Sequence, residues 1–220
     1  MKPGFVIDSK LKFTHSFEQD CLRFLKTSDY DSAHDIAHIT RVVKSAKQLC
    51  QEESADDEVI VAAAWLHDCV VLPKDHPDRK TTSTLAARKA AEFLSGIDFS
   101  EQKIEAVSHA IEAHSYSAGI PPKTIEAKIV QDADRLDALG AVGIARCFLV
   151  GGSMGTGLHH PDDPFCENRP PDDKSWSIDH FYSKLFKLPA TMNTESGKAE
   201  AEKRVAYMKA YLDKLSQEIN

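Results

Sequence analysis

His67 and Asp68 directly follow the apolar stretch AAAWL, and an imidazole beside a carboxylate at this position could take part in chemistry. Three alanines, Trp65 and Leu66 favour burial, whereas an imidazole and a carboxylate do not unless a partner compensates them. Adjacent residues of a helix face different directions, so both side chains could contact one object only beyond the end of the helix. A divalent metal ion is such an object, because it accepts imidazole nitrogen and carboxylate oxygen together.

The segment AHDIAHITRV carries two more histidines. His34 and His38 are one helical turn apart and share a face. His38 is next to Ile39 at the edge of an apolar stripe, which directs its imidazole inward or along a cleft wall. Arg41 follows three residues later on nearly the same face. Taken alone, His34 is more simply explained as an ordinary surface or core histidine.

Two later segments contain the same residue types. His109 and His114 are five residues apart, a poor spacing for one face, but a helix that ends near His114 would let that side chain turn toward the same cleft. Asp134 and Asp137 are three residues apart and share a helical face, whereas Asp132 points elsewhere. Buried charge is costly unless it is paired or bound to a metal, so at least one of these acids needs a cation. Taken alone, His109 and Asp132 are more simply explained as ordinary residues.

The ordered set His38, His67, Asp68 and Asp134 resembles the signature of the HD-domain metal-dependent phosphohydrolases. The flanking segments AAAWLHD, RKTTSTLAARKA, HAIEAHSYSAG and AKIVQDADRLDALGAVGIAR are similar to those of small stand-alone bacterial HD hydrolases, from about residue 15 to 150. The resemblance implies that the four residues bind one divalent ion, which could be Mn²⁺, Fe²⁺, Ni²⁺, Co²⁺ or Mg²⁺. Family members with two metals use additional histidines, for which His114 is a better match here than His109.

The resemblance also implies a mechanism of phosphate hydrolysis. A metal-activated water would attack phosphorus, and Asp68 would orient that water or accept its proton. Developing charge on the phosphoryl oxygens requires cations, for which Arg41 and Lys74 are candidates. The leaving group would receive a proton from Lys74, His109 or His114.

Three further basic residues belong to the same neighbourhood of the sequence. Arg79 and Lys80 follow the His-Asp pair and are more simply explained as surface charges, while Arg146 follows Asp134 in a long helical segment. The four residues after the His-Asp pair, CVVL at 69–72, differ from those of two enzyme groups of known activity in this superfamily. Alarmone hydrolases of this superfamily carry a further acidic pair there, and deoxynucleotide monophosphatases carry a Glu, so neither activity is implied.

The function predicted first is therefore hydrolysis of a nucleotide or another small phosphate ester or anhydride. Two alternatives stay open. One is a nucleotide-sensing regulator that keeps the metal site without turnover, and the other is a di-iron oxygenase of the HD type.

The elements that position these residues are predicted to be helices. Apolar residues recur at three-and-four spacing through most of the chain, and no convincing alternating strand is present. The breaker-rich segment 151–173 is predicted to be a loop, and one all-α domain is predicted for residues 1–220, with its metal-site core at about 15–150. The predicted helical segments are 15–27, 32–51, 54–70, 82–95, 100–114, 123–149, 175–187 and 196–217.

Composition limits the partners. The chain has 220 residues, of which 42% are hydrophobic and 28% charged, and a net charge of −7. That charge argues against a nucleic-acid backbone as a partner, and no segment is long and apolar enough for a membrane span. Five scattered cysteines favour a reducing compartment, predicted to be the cytoplasm. A homodimer is left open.

Overall fold

Helix α3 (Asp57–Leu66) lies at the centre of the structure, a computed structural model that describes residues 9–26, 36–72, 76–97 and 99–219. Every residue from Val59 to Leu66 is buried, because neighbouring helices pack against α3 on all sides. Its N-terminus is capped by Asp56, whose carboxylate accepts hydrogen bonds from the backbone of Glu58 and Val59. The helix was predicted to reach residue 70, but it ends at Leu66, so His67 and Asp68 lie just beyond its tip.

The other helices surround α3 and bury their apolar stripes against it or against each other. Helix α2 packs on α3 and α6, and α5 packs on α3, α4 and α6. The prediction of an all-α fold is confirmed. The helices are α1 (Ser9–Lys26), α2 (Ile36–Glu53), α4 (Thr82–Ser95), α5 (Glu101–His114), α6 (Ile125–Leu136), α7 (Gly140–Met154), α8 (Asp179–Ser183) and α9 (Glu195–Ile219).

The predicted segment 123–149 is two helices and not one. Helix α6 ends at Leu136, α7 starts at Gly140, and the two axes differ by 62°. Gly140 has φ of +71°, a left-handed conformation that a residue with a Cβ adopts only with strain. The break frees Asp137 from the regular helix, which proves important for the site.

The C-terminal predictions also need correction. Helix α7 continues through Gly151 and Gly152 to Met154, so the loop begins at Gly155, which has φ of +72° and ends the helix in the left-handed conformation. The predicted helix 175–187 is instead the short α8 followed by a 3₁₀ helix over Leu185–Thr191. Within the described residues, the one extended pairing is a bridge between Gly157 and Trp176.

Two further features bear on the predictions from composition. Among the described helices, no single one has both the length and the apolarity to cross a membrane, although the bent pair α6 and α7 meets both criteria together. All five cysteines are free thiols.

Candidate metal centre

Four predicted ligands converge at the tip of α3. His38 comes from α2, His67 and Asp68 follow the end of α3, and Asp134 comes from the last turn of α6. They meet because α2 and α6 pack against each other and both pack against α3. The prediction that the His-Asp pair faces a common point beyond the helix end therefore agrees with the geometry.

The donor atoms face one small space. Nε2 of His38 lies 3.4 Å from Oδ1 of Asp134 and 3.8 Å from Oδ2 of Asp68. Nε2 of His67 lies 3.5 Å from Oδ2 of Asp68 and 4.0 Å from Oδ1 of Asp134. Metal–ligand bonds of about 2.0–2.2 Å place the donors of one ion roughly 3–4.4 Å apart. Each of the four separations is in this range, and the donors of His38, His67 and Asp134 all lie within 4.8 Å of one another.

Hydrogen bonds on the other ring nitrogen fix the direction of each imidazole. Nδ1 of His67 donates to the carbonyl of Ala64 at 2.8 Å, and Nδ1 of His114 donates to the carbonyl of Ile111 at 2.6 Å. Each carbonyl belongs to the last turn of the helix that ends at the histidine or just before it, so that turn orients the ring. Nδ1–H to an oxygen acceptor leaves the Nε2 lone pair for an ion, as is typical of metal-bound histidine.

His67 provides the sharpest test of whether a metal fits. Its Nε2 is buried and has no hydrogen-bond partner among the described residues. A buried polar atom without a partner is costly, and this one faces the carboxylates of Asp68 and Asp134 at 3.5 and 4.0 Å. A lone pair opposite two anionic oxygens calls for a cation between them. The residues present thus fit a divalent ion.

His114 stands at the edge of the same cluster. Its Nε2 lies 3.4 Å from Oδ1 of Asp68, while the other oxygen of that carboxylate faces His38 and His67. His67, Asp68 and His114 form a second group whose donor atoms lie within 4.8 Å of one another. The first such group is His38, His67 and Asp134, so His67 belongs to both groups. The carboxylate of Asp68 lies between them, with one oxygen facing His114 and the other facing His38 and His67.

The acids and the histidines shift each other's pKa. Burial lowers the pKa of His67, which keeps its imidazole neutral at pH 7 and able to act as a ligand. Burial also lowers the pKa of His38, but the interactions with Asp134 and Asp137 outweigh it and raise that pKa to about 9. Burial raises the pKa of Asp134, yet the neighbouring histidines lower it more. The centre is therefore built to hold positive charge.

A cavity of about 390 Å³ opens onto the centre. Its walls include His38, Asp68, His114 and Asp134, and basic side chains come from three other parts of the chain. These cations are Arg79 before α4, Arg146 on α7 and Lys184 after α8. Such a cavity joins metal ligands with cations that suit an anionic ligand.

Arg41 has a different place from the one predicted. Its guanidinium binds both carboxylate oxygens of Asp137, with Nε 2.7 Å from Oδ1 and Nη2 3.1 Å from Oδ2. It is not among the described residues that line the cavity. The geometry therefore shows Arg41 as a partner of Asp137, and its role as a phosphate contact stays a prediction. Lys74 and His34, the other residues in question, lie outside the described residues.

Two other residues are directed away from the centre. Nε2 of His109 accepts a hydrogen bond from the backbone of Lys123 at 3.0 Å. Asp132 is fully buried and accepts hydrogen bonds from the backbone and side chains of Asn193 and Thr194, just before α9. Asp132 thus anchors the C-terminal helix, as its different helical face suggested.

Sequence reasoning missed the roles of Asp137 and Lys184. Oδ2 of Asp137 lies 2.7 Å from Nδ1 of His38 and also contacts Arg146. The signal for Asp137 was its position three residues after Asp134, but a continuous helix would have directed both acids along one face. Lys184 had no signal, because only the tertiary structure brings its segment beside the cavity.

Comparison with known proteins agrees with this geometry. The profile of the HD domain family matches residues 35–139, which include the four predicted ligands and Asp137. The chain is 33% identical over 196 residues to the uncharacterized protein YpgQ of Bacillus subtilis (strain 168), covering 87% of each chain.

Solved structures show the same similarity. An HD-superfamily hydrolase from Bacillus thuringiensis is 34% identical, with a TM-score of 0.73 over 96% of this chain and 98% of that chain. Bacillus subtilis YpgQ, solved in complex with ADP, is 30% identical, with a TM-score of 0.69 over 94% of this chain and 95% of that chain. By sequence, by fold and by its histidine and aspartate cluster, this chain belongs to the HD-domain family and has the fold of the HD-superfamily hydrolases.

Proposed function

We propose that this protein is a metal-dependent phosphohydrolase whose substrate is a nucleotide. The observation that carries the proposal is the buried Nε2 of His67, which faces two carboxylates and has no hydrogen-bond partner within the described residues. The adjoining cavity carries Arg79, Arg146 and Lys184, which suit a phosphorylated ligand. The ADP complex of YpgQ, a relative of this chain, supports a nucleotide among such ligands.

The proposed ligands of one ion are His38, His67, Asp68 and Asp134, with Mn²⁺, Fe²⁺, Ni²⁺, Co²⁺ or Mg²⁺ as candidates. When bound, such an ion supplies a water of lowered pKa and polarises a phosphoryl oxygen. In this proposal Asp68 orients the attacking water and accepts its proton, and the contacts of its carboxylate with His38 and His114 support that role.

The remaining groups have distinct tasks in this proposal. Arg146, Lys184 and Arg79 stabilise the charge that builds on the phosphoryl oxygens. His114 either protonates the leaving group or binds a second ion, because its Nε2 lies at the edge of the cluster beside Asp68. Free thiols in all five cysteines support a reducing compartment, which we propose to be the cytoplasm.

The test combines metal content with turnover. The purified chain is analysed for bound metals and assayed for phosphate and pyrophosphate release from a nucleotide panel with Mn²⁺, Mg²⁺, Co²⁺ and Ni²⁺. We expect one divalent ion or two per chain and turnover that is lost in H67A. Tight nucleotide binding without turnover under any metal would instead identify a regulator, and two irons with an oxygen-sensitive absorption spectrum would identify an oxygenase.

A further inference from the structure

A second cavity adjoins the metal cavity. It also measures about 390 Å³ and is bounded by α7, the loop after it and the segment around α8. Arg146 and Lys184 line both cavities. The two cations thus mark the boundary between a chamber rich in metal ligands and a chamber without any of the predicted ligands.

The second cavity has the lining expected for an organic group. One wall is apolar and includes Cys147, Val150, Met154 and Leu185. Another part of the lining, the polar wall, carries hydrogen-bonding groups, among them the paired hydroxyls of Thr156 and Ser177, whose oxygens are 2.8 Å apart. Pockets for small molecules combine a mostly apolar lining with a few placed polar groups, in volumes of about 300–1,000 Å³.

Backbone pairing holds the polar wall in place. Thr156 donates its N–H to the carbonyl of Gly151 at 3.0 Å, and Ser177 donates its N–H to the carbonyl of Gly157 at 2.9 Å. The wall packs so closely on α7 that a Cβ at Gly151 would lie 2.2 Å from Oγ of Ser177. The polar wall is therefore held by hydrogen bonds and close packing within the protein, and a wall fixed in this way reduces the entropy cost of binding.

We propose that this second cavity binds the nucleoside part of a nucleotide whose phosphates lie in the metal cavity beside Arg146 and Lys184. The proposal rests on the function proposed above and adds selectivity to it. An apolar wall gains from an aromatic base, and the hydroxyl groups can bond to the sugar or the base edge, whereas inorganic pyrophosphate would use the metal cavity alone.

The test compares ADP with pyrophosphate by isothermal titration calorimetry on the Mn²⁺-loaded protein. V150W puts a large side chain at the apolar wall of the second cavity. L149W is the matched control, because Leu149 is the neighbouring residue of α7, is 75% exposed and does not line the cavity. We expect V150W to weaken ADP binding by about tenfold or more relative to the wild type. The affinity of V150W for pyrophosphate, and the affinities of L149W for both ligands, should stay within about twofold of the wild-type values.

A second variant controls for a local rearrangement of the protein caused by V150W. M154W narrows the same wall from a residue that is 59% exposed, and it should weaken ADP selectively as well. Equal weakening of ADP and pyrophosphate in both variants would overturn the inference and leave the proposed function standing. So would selective loss of ADP in Y116A, because Tyr116 stands at the metal cavity and is 82% exposed. A wild-type chain that binds neither ligand would overturn the proposed function and the inference together.

Discussion

Nδ1 of His38 and Oδ2 of Asp137 lie 2.7 Å apart, although 99 residues separate them along the chain. Asp137 follows the end of α6 and also accepts hydrogen bonds from Arg41 and Arg146. A carboxylate on the outer nitrogen of a ligand histidine fixes the tautomer and makes Nε2 a stronger donor to a metal. We therefore infer that Asp137 is a positioning residue for the proposed metal centre.

We predict that D137N lowers the affinity for Mn²⁺ by about tenfold, because an amide orients His38 but no longer increases its basicity. The measurement is metal titration by calorimetry, supported by metal content after dialysis. D213N is the control, since it removes the same charge from an exposed position on α9. Unchanged Mn²⁺ affinity in D137N would contradict the positioning role.

Arg41 and Arg146 permit a paired experiment. Both contact Asp137, and their side chains are similarly exposed, at 37% and 38%, but only Arg146 lines the metal cavity. We expect R146A to weaken nucleotide binding by about tenfold, the loss of one charge-assisted contact of about 1.4 kcal/mol. R41A should affect mainly metal affinity, through Asp137. Equal loss of nucleotide binding in the two variants, measured at saturating metal, would return Arg41 to the role of phosphate contact.

The histidine at the tip of α3 should be indispensable. H67A removes the buried Nε2 that faces Asp68 and Asp134, so we expect metal retention and turnover to fall below detection. D68A should do the same. H109A is the control, because His109 contacts Lys123 instead of the centre. Full metal occupancy in D68A, determined by elemental analysis, would show that Asp68 is not a ligand.

The sequence predicts those features of this site that follow from the local pattern of apolar residues, and misses those that do not. The all-round burial of α3 follows from local apolar patterning and is confirmed, but its end at Leu66, which leaves His67 and Asp68 at its tip, came four residues before the predicted one. The turn at Gly140 does not follow from this patterning, because apolar periodicity continues through residues 136–144 and nothing local requires a left-handed residue there. Because the turn was not predicted, the contact of Asp137 with His38 was not predicted either.

The basic residues of the metal cavity show the same limit of prediction from local sequence. Arg146 shares a predicted helical segment with Asp134, so its proximity could be suspected. Lys184 reaches the cavity only through a short helix and a 3₁₀ segment, whose place depends on contacts with distant elements. Local periodicity carries no information about such contacts, so this wall of the site had to come from the structure.

The geometry of α7 yields a stability prediction. A Cβ at Gly143 would lie 2.2 Å from the carbonyl oxygen of Ala138, a backbone atom that cannot move without disturbing the turn that holds Asp137. We expect G143A to lower the free energy of unfolding by about 2 kcal/mol or more. G152A is the control on the same helix, where a Cβ would meet nothing within 4 Å, and it should be neutral or stabilising. Thermal melts that rank the two variants in the opposite order would contradict the assignment.

The loop that forms the polar wall of the second cavity contains an ion pair between the partly exposed Arg169 and the buried Asp179. Asp179 is fully buried and accepts hydrogen bonds from the guanidinium of Arg169 and from the backbone of Asp172. Burial raises the pKa of Asp179, but these donors outweigh it and hold the pKa below the ordinary value of 3.8. Because the folded pKa is the lower one, this stabilisation is present above about pH 4 and disappears as the pH falls through the folded pKa.

We therefore predict that D179N lowers the free energy of unfolding by about 2 kcal/mol at pH 7, the scale of a hydrogen bond to a charged group. The difference between wild type and D179N should shrink as the pH falls below 4, because the wild-type carboxyl becomes neutral first in the unfolded chain and, at lower pH, in the folded protein. Chemical denaturation at several pH values measures both effects. D162N, at an exposed position of the same loop, should match the wild type throughout. A deficit in D179N that stays constant from pH 7 to pH 3 would show that its charge does not hold the loop.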